Sequence, residues 1–283
     1  MLNSMASRDF AQACAQHAAW GLKWLDLKDA IFGKSITALS DAEARSAVEL
    51  AARHGLGVYC FSTMLFAADV EQGEARFREQ HLAPLARTLE LARILRPRVI
   101  RLIAASTQRR AELTDSAAYV TREHPWLIAL YREALRHIVD AGFRASIENE
   151  VERSLFTRPA EVLNFFEALG PLSGVSYTWD VQNMWQNGAY PSLEAYEMLR
   201  PLIGYFHLKG GQEDPATQRL KWSTGLAEAT WPVVEITRQV MSDGVSPVIC
   251  LNPSHGARKE GYDYAKVVER DVDFLRAHVP GIE

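Results

Sequence analysis

The sequence predicts an α/β fold, a (β/α)8 TIM barrel whose first strand is short, and three observations support this. Short apolar runs of β character alternate with longer amphipathic stretches, which is typical of a parallel sheet built from βαβ units. These units recur at intervals of roughly 30 to 45 residues, as expected for a (β/α)8 barrel. No GxGxxG follows the first strand, so the fingerprint of a dinucleotide-binding doubly wound sheet is missing.

The helices begin and end at recognisable residues. Ser40 and Glu43 form a capping box, and the apolar-periodic stretch behind them stops at Gly55, where glycine can adopt the left-handed conformation that ends a helix. A compact apolar strand follows, and the same order of helix, glycine and strand recurs around Gly142. We predict strands over 22–27, 56–61, 98–103, 143–147, 175–179, 203–208 and 248–251. The predicted helices cover 10–19, 40–54, 76–95, 122–140, 158–168, 192–199, 231–242 and 264–278.

An eighth strand has to come from residues 2–5, ahead of the first helix. This strand is short because the chain starts there, as expected if the true start lies upstream of Met1. The chain has 283 residues, and 48% of them are hydrophobic and 23% charged, which is close to average usage for a folded domain. No long Pro, Gly or Ser tract and no charge block interrupts it, so we predict one domain over 1–283.

Charge and cysteine content limit the partners and the compartment. Lys and Arg number 31 against 35 Asp and Glu, for a net charge of -4, so no positive field favours nucleic acid or an anionic membrane. Cys14, Cys60 and Cys250 show no CxxC spacing, which argues against a disulfide framework and a thiolate zinc site and favours the cytoplasm. No apolar run is long enough to span a bilayer. Helix faces that pack on a barrel and on a second copy look alike, so a homo-oligomer stays open.

Polar side chains end four successive strands. Glu148, Asp180, His207 and Asn252 each terminate an apolar run, and the chemistry of such barrels takes place at the C-terminal ends of the strands. Carboxylate, imidazole and amide groups form a mixed oxygen and nitrogen set that suits one divalent metal ion, Mn²⁺, Mg²⁺, Co²⁺ or Zn²⁺. Alone, each would more often be a solvated loop residue. Four such endings in succession are hard to explain by folding, because a buried unpaired polar group costs stability.

Other residues near these ends are weaker candidates. The strand period of two puts Glu150 on the face of Glu148, and Lys209 on the face of His207, so both should point over the barrel mouth. Further candidates for substrate contact, each with a plain structural alternative, are His255 in the last loop, Arg101 inside a strand, and Trp185 and Tyr190 after Asp180. The other histidines, expected to be structural because they lie in or beside helices, are His17, His54, His81, His124, His137 and His278.

In this order and spacing, four short motifs resemble the xylose-isomerase-like (β/α)8 superfamily of sugar phosphate isomerases and epimerases, whose fold is shared with endonuclease IV. The motifs are Ser146-Ile-Glu-Asn-Glu150, Trp179-Asp-Val-Gln-Asn183 with Gly188 and Pro191, Phe206-His-Leu-Lys209, and Thr224-Gly-Leu-Ala-Glu-Ala-Thr-Trp231. The resemblance covers nearly the whole chain. It implies one divalent metal, held by Glu148, Asp180, His207 and the last-strand residue, and acid/base chemistry on a sugar, keto-sugar or cyclitol.

The resemblance implies the roles of Glu148 and Asn183, and the other roles follow from the positions of the residues in the predicted barrel. Glu148 is the expected base, and Lys209, Glu150 and His255 are local alternatives for the second proton carrier. Asn183, the last residue of the Asp-x-x-Asn motif, is an expected substrate contact, as are Glu150, Trp185, His255 and Arg101.

Two departures from the family pattern affect the expected reaction. The last strand ends in Asn252 where the family's epimerases carry Glu, and an amide can bind a metal but cannot accept a proton. Gly210 and Gly211 stand where Asp is frequent, so substrate contacts should differ. Isomerisation on one face, dehydration and β-elimination are therefore candidate reactions together with epimerisation.

A catalytically silent sugar-binding subunit is the alternative of a different class, and the loss of the last carboxylate favours it. DNA repair of the endonuclease IV type is not expected, because three clustered metals need more ligands than the strand ends offer and the net charge is negative.

Overall fold

In the described part of the chain, seven parallel strands form a nearly closed barrel, which confirms the predicted α/β TIM-barrel class. The computed structural model describes residues 1–253, 261 and 263–282. The barrel strands are β1 Trp24–Leu27, β2 Gly57–Ser62, β3 Val99–Ile103, β4 Arg144–Glu148, β5 Val175–Asp180, β6 Ile203–Leu208 and β9 Ile249–Leu251. Their order is β1-β2-β3-β4-β5-β6-β9, and a two-stranded hairpin of β7 Gln212–Glu213 and β8 Leu220–Trp222 follows β6.

Helices surround the barrel and connect its strands. They are α1 Asn3–Ala6, α2 Phe10–Ala19, α3 Asp41–Arg53, α4 Glu74–Phe77, α5 Leu85–Leu95, α6 Ser116–Glu123, α7 Pro125–Asp140, α8 Pro159–Leu169, α9 Val181–Gln186, α10 Leu193–Leu199, α11 Val233–Ser242 and α12 Tyr264–His278. Single helical turns cover Ile36–Ala38, Val70–Gln72, Arg78–Leu82, Arg110–Glu112 and Leu226–Glu228. None of the helices in the described residues has the length and apolar character that crossing a membrane requires.

Local chemistry explains where the helices begin and break. The capping box of Ser40 and Glu43 is present at the start of α3, and Gly55 follows that helix with a φ of 70°. The helix predicted over 122–140 is instead two helices, because His124 precedes Pro125 and takes an extended φ of -133°. The helix predicted over 76–95 is interrupted differently, by a π-helical turn over Arg78–Leu82 that lies between α4 and α5.

The eighth strand predicted over residues 2–5 is wrong in its extent. Leu2 makes one parallel bridge with Asp26, and the chain then turns into α1. The Asn3 side chain makes the contacts that a strand backbone would otherwise make there, accepting from Lys28 N at 3.1 Å and donating to the Asp29 carbonyl at 2.6 Å. One parallel bridge and the Asn3 side chain therefore take the place of an eighth strand beside β1.

Candidate metal centre

Three predicted ligands meet at the C-terminal end of adjacent strands. Glu148 ends β4, Asp180 ends β5 and His207 lies one residue before the end of β6. One potential ligand atom from each lies within 4.8 Å of the other two, and all three residues are buried. The parallel register places them together because Asp180 pairs directly with His207 across β5 and β6.

The spacing of these atoms suits a shared cation. His207 Nδ1 lies 2.8 Å from Glu148 Oε1 and 3.6 Å from Asp180 Oδ2. Two ligands in adjacent positions around an ion at about 2.1 Å are separated by about 3 Å. The three side chains therefore already approach the separation that a common divalent ion requires.

Local structure orients the Asp180 carboxylate. Asp180 is the N-cap of α9, and its Oδ1 accepts hydrogen bonds from the backbone N–H groups of Gln182 at 3.1 Å and Asn183 at 3.0 Å. Asn149 holds the backbone on the other side, since its Oδ1 accepts from Asp180 N at 3.0 Å and its amide donates to the Asp180 carbonyl at 2.8 Å. Oδ2 is therefore the oxygen of Asp180 that can bind a metal ion.

Lys209 is fixed beside that remaining oxygen. Its Nζ lies 2.7 Å from Asp180 Oδ2 and donates to Asn183 Oδ1 at 3.1 Å. Burial lowers the pKa of Lys209, but the Asp180 carboxylate more than offsets this and the pKa lies above its ordinary value. Lys209 is therefore a buried ammonium group that donates hydrogen bonds in this arrangement, and its predicted role in proton transfer stays a prediction.

Arg101 is the buried partner of Glu148. It lies on β3, next to β4, and its Nη1 contacts Glu148 Oε2. Burial raises the pKa of Glu148, but Arg101 and His207 more than offset this, so the pKa falls below its ordinary range. The pair leaves Oε1 of Glu148 to face His207.

Asp26 approaches His207 from the opposite side and was missed in the sequence analysis. Its Oδ2 lies 3.7 Å from His207 Nε2 and accepts from the Tyr205 hydroxyl at 3.2 Å, while Ser62 donates to its Oδ1. Cys250 completes a second group of three potential ligand atoms with Asp26 and His207. An acid in the middle of an apolar strand was the signal that could have revealed Asp26.

The buried charges of the centre balance only with a third cation. Asp26, Glu148 and Asp180 face two permanent cations, Arg101 and Lys209, among the described buried side chains. Burial lowers the pKa of His207, but Glu148 more than offsets this and raises the pKa well above its ordinary value. The imidazolium form of His207 would supply the missing charge, and a metal ion at Nδ1 would have to displace that proton.

Unsatisfied atoms show that the residues fit a metal ion. Asp180 Oδ2, both ring nitrogens of His207 and Asn252 Oδ1 are buried without a hydrogen bond of normal geometry. Asn252 follows β9 directly and is 2% exposed, and its amide oxygen lies in the interior with no hydrogen-bond partner among the described residues. Buried polar atoms are normally satisfied, and a cation would satisfy these.

A family model described as xylose isomerase-like TIM barrel matches residues 14–278. The chain belongs to this family. No curated protein matches the chain at a significant level.

Solved structures of similar fold agree with this assignment. A xylose isomerase-like TIM barrel protein from Mycobacterium smegmatis in complex with magnesium is 18% identical, with 94% of this chain and 86% of that chain covered and a TM-score of 0.70. D-psicose 3-epimerase in the presence of D-fructose is 18% identical, with 99% of each chain covered and a TM-score of 0.73. The probable 3-DHS dehydratase AsbF from Bacillus anthracis is 14% identical, with 98% and 97% covered and a TM-score of 0.72.

The remaining candidates occupy different positions in this xylose isomerase-like barrel. Glu150 is half-buried, and burial together with the Glu148 charge raises its pKa. Trp185 is 1% exposed and its indole N–H donates to the Gln218 carbonyl at 2.8 Å, so its contacts are those of a packing residue. Tyr190 packs edge-on against it. His255 lies outside the described residues, and its predicted substrate contact stays a prediction.

Proposed function

We propose that this chain is a divalent-metal-dependent enzyme of the isomerase or epimerase type, acting on a sugar, keto-sugar or cyclitol by proton transfer at a carbon next to a carbonyl. The observation that carries the proposal is the buried group of Glu148, Asp180 and His207, whose ligand atoms lie within 4.8 Å of one another. Structures of similar fold include D-psicose 3-epimerase and the 3-keto-D-glucoside 4-epimerase YcjR from E. coli, which supports the substrate class.

The side chains of Glu148, Asp180 and His207, together with the amide oxygen of Asn252, would hold the proposed ion. When bound, a divalent ion polarises the substrate carbonyl and stabilises negative charge on its oxygen. The ligand set of oxygens and one imidazole suits Mg²⁺, Mn²⁺, Co²⁺ or Zn²⁺. The magnesium complex of a similar structure is consistent with this range.

The protein's own groups then bind and orient the substrate. The Lys209 ammonium, held by Asp180 and Asn183, is placed to donate a hydrogen bond to a substrate oxygen. Arg101 keeps Glu148 ionised, so that its carboxylate remains available as an acceptor. Glu150, two residues beyond the strand end, is the half-buried carboxyl group next to these, and we assign it the second proton transfer.

Asn252 favours a second reaction class, dehydration or β-elimination. An epimerase needs one group to remove a proton and another to return it on the opposite face, and the amide of Asn252 cannot do the latter. Loss of water or of a β-substituent needs no proton delivered to the opposite face of the carbon, because the group that removes the proton can pass it to the leaving group on the same face. The similar structure of a probable dehydratase supports this alternative.

The first test is the metal content of the purified protein, measured by elemental analysis. We expect about one equivalent of a divalent metal in the wild type and its loss in His207→Ala, because the substitution removes one of the three clustered ligand side chains. His137→Ala is the matched control, since His137 is exposed on α7. Absence of stoichiometric metal after reconstitution would contradict the proposal and favour a silent sugar-binding subunit.

The reaction class is tested on the reconstituted protein with keto-sugars and cyclitols in deuterated water. Isomerisation and epimerisation incorporate solvent deuterium at the carbon next to the carbonyl without changing the mass otherwise, whereas dehydration removes water. Product analysis by NMR therefore separates the two candidate reactions.

A further inference from the structure

A second group of metal-binding side chains lies between the first and the last strand of the barrel. Asp26 on β1, His207 on β6 and Cys250 on β9 each offer one ligand atom, and the three atoms lie within 4.8 Å of one another. All three residues are completely buried. Neither Asp26 nor Cys250 is a ligand of the ion proposed above, so this group shares only His207 with the candidate metal centre.

These side chains connect the two edges of the sheet. β1 and β9 are the first and the last strand in the order of the sheet, and within the described residues no backbone pairing joins them to each other. The side chains of Asp26 and Cys250 meet across this seam, with Cys250 Sγ 4.0 Å from Asp26 Oδ2. An ion bound to both side chains would therefore close the barrel where strand pairing does not.

The separations of the ligand atoms fit a tetrahedral ion. His207 Nε2 lies 3.7 Å from Asp26 Oδ2. In a zinc site with bonds of about 2.0 Å to nitrogen and oxygen and about 2.3 Å to sulfur, neighbouring ligand atoms are about 3.3 to 3.6 Å apart. The observed separations of 3.7 Å and 4.0 Å exceed these values by only a few tenths of an ångström, which small side-chain rotations can supply.

One ring nitrogen of His207 lacks a partner on this side. Nε2 is buried without a hydrogen bond of normal geometry to the described residues. The ring is held edge-on against Tyr205 at a centroid distance of 4.6 Å, and the Tyr205 hydroxyl donates to Asp26 Oδ2 at 3.2 Å. Ser62 donates to the other carboxylate oxygen, so Asp26 and His207 are fixed in facing positions. A cation between them would satisfy this buried nitrogen.

We propose that Asp26, His207 and Cys250 form a zinc site that joins β1, β6 and β9 and stabilises the closed barrel. Thiolate and imidazole are ligands that Zn²⁺ favours, whereas oxygen-rich sites suit harder ions such as Mg²⁺ and Mn²⁺. The Cys250 thiol releases its proton when it binds the ion. Cysteine spacing in the sequence does not reveal such a site, because its three ligands come from three different strands.

His207 makes the zinc site and the candidate metal centre mutually exclusive. The zinc ion binds Nε2, whereas Nδ1 faces Glu148 and Asp180. A neutral imidazole has one lone pair for a metal and one N–H, so His207 binds one ion at a time. With Zn²⁺ at Nε2, the N–H at Nδ1 donates to Glu148 Oε1, 2.8 Å away. The zinc site does not depend on the function proposed for the candidate metal centre.

The test is titration of the chelator-treated full chain with Cd²⁺, followed by ultraviolet absorption. Cd²⁺ is a soft ion that replaces Zn²⁺, and its bond to a thiolate gives a charge-transfer band that oxygen and imidazole ligands do not produce. We expect the band to saturate at about one Cd²⁺ per chain in wild type and in Cys14→Ser, and to be absent from Cys250→Ser. Cys14 is the matched control, because it is a buried free thiol on α2 outside the group. Asp26→Asn should lower the affinity for Cd²⁺ about tenfold or more.

Asp180→Asn separates the zinc site from the candidate metal centre. This variant changes a ligand of that centre alone, so the thiolate band should persist. Zn²⁺ should also raise the Tm of Asp180→Asn, and adding Cys250→Ser to that variant should abolish the rise, because the seam then loses its thiolate.

Three results would overturn the zinc site: no thiolate band in the wild type, the same band in Cys250→Ser, or loss of the band in Asp180→Asn. The wild-type measurement needs no variant, so a folding defect in Cys250→Ser cannot mask the outcome. An equal rise in Tm with and without Cys250 would contradict the stabilising role. A missing thiolate band leaves the function proposed above unaffected, because the ligands of the candidate metal centre contain no sulfur.

Discussion

The two ring nitrogens of His207 face different carboxylates. Nδ1 faces Glu148 and Asp180, while Nε2 lies 3.7 Å from Asp26. Histidines that bind a metal usually present their second nitrogen to a carboxylate or carbonyl, which fixes the tautomer and the ring orientation. Asp26 is itself held by Tyr205 and Ser62, so it is rigid enough to position the ring.

Asp26→Asn should therefore weaken metal binding without removing a ligand. We expect the affinity for Mn²⁺ to fall by roughly 10- to 100-fold, the range found when the outer partner of a metal-binding histidine is lost. Competition with a chromophoric chelator measures this directly. Asp41→Asn, at an exposed position on α3, is the control. Equal affinity in Asp26→Asn and wild type would show that Asp26 does not position His207.

At the scale of single residues, the sequence predicts the side chains at the ends of strands, but it does not predict which side chains on neighbouring strands contact each other. Glu148, Asp180 and His207 were accessible because each terminates an apolar run. The pairing of Arg101 with Glu148 depends on which strands are neighbours and on their register, with Arg101 opposite Ser146 and Ile103 opposite Glu148. A single sequence does not show which residues of neighbouring strands pair, so we could predict only that Arg101 needs a partner of opposite charge or a ligand.

At the scale of elements, strands and long helices could be predicted because their apolar periodicity is local. The two-stranded hairpin β7–β8 and the short helix α9 were not predicted, because their stability comes from contacts distant in sequence. Trp185 on α9 reaches Gln218 beside β8, for example. The Asp180 cap that starts α9 is the one local signal the sequence contained.

The contact between α12 and the loop before α11 should give the stability a pH dependence. Asp271 on α12 is buried and accepts a hydrogen bond from Leu226 N at 2.7 Å. Burial raises the pKa of Asp271 from 3.8 to about 7. Between these values the folded chain keeps a proton that the unfolded chain has lost, so this group lowers the free energy of unfolding as pH rises, by up to about 1.4 kcal/mol per pH unit.

Asp271→Asn should remove that dependence, because the amide oxygen can still accept from Leu226 N but does not titrate. We expect the variant to gain stability relative to wild type between pH 5 and pH 8, with the difference levelling off above about pH 7. Urea unfolding at several pH values measures it, and Asp263→Asn is an exposed control ahead of α12. A constant difference between variant and wild type across this range would contradict the assignment.

At the scale of the whole molecule, the proposed metal ligands all come from neighbouring strands on one side of the barrel. Glu148, Asp180, His207 and Asn252 come from β4, β5, β6 and the end of β9, which are consecutive in the sheet. On the other side, the seam next to β1 is lined by Met1 and Leu2, both buried, with Asp26 N donating to the Met1 carbonyl at 3.0 Å. Sequence reasoning foresaw a short first strand there but not the helix that replaces most of it.

A bound metal should stabilise the entire fold, because the ligands come together only when these strands are assembled. At a metal concentration of 100 times Kd, the stabilisation is about 2.7 kcal/mol, which for a chain of this length is roughly 4 to 5 °C in Tm. We expect this shift with Mn²⁺ or Mg²⁺ in wild type and in His137→Ala, and little or none in His207→Ala. Differential scanning fluorimetry against the chelator-treated protein measures it. An equal shift in His207→Ala would mean that the stabilising ion binds elsewhere, because the imidazole of His207 would then be dispensable.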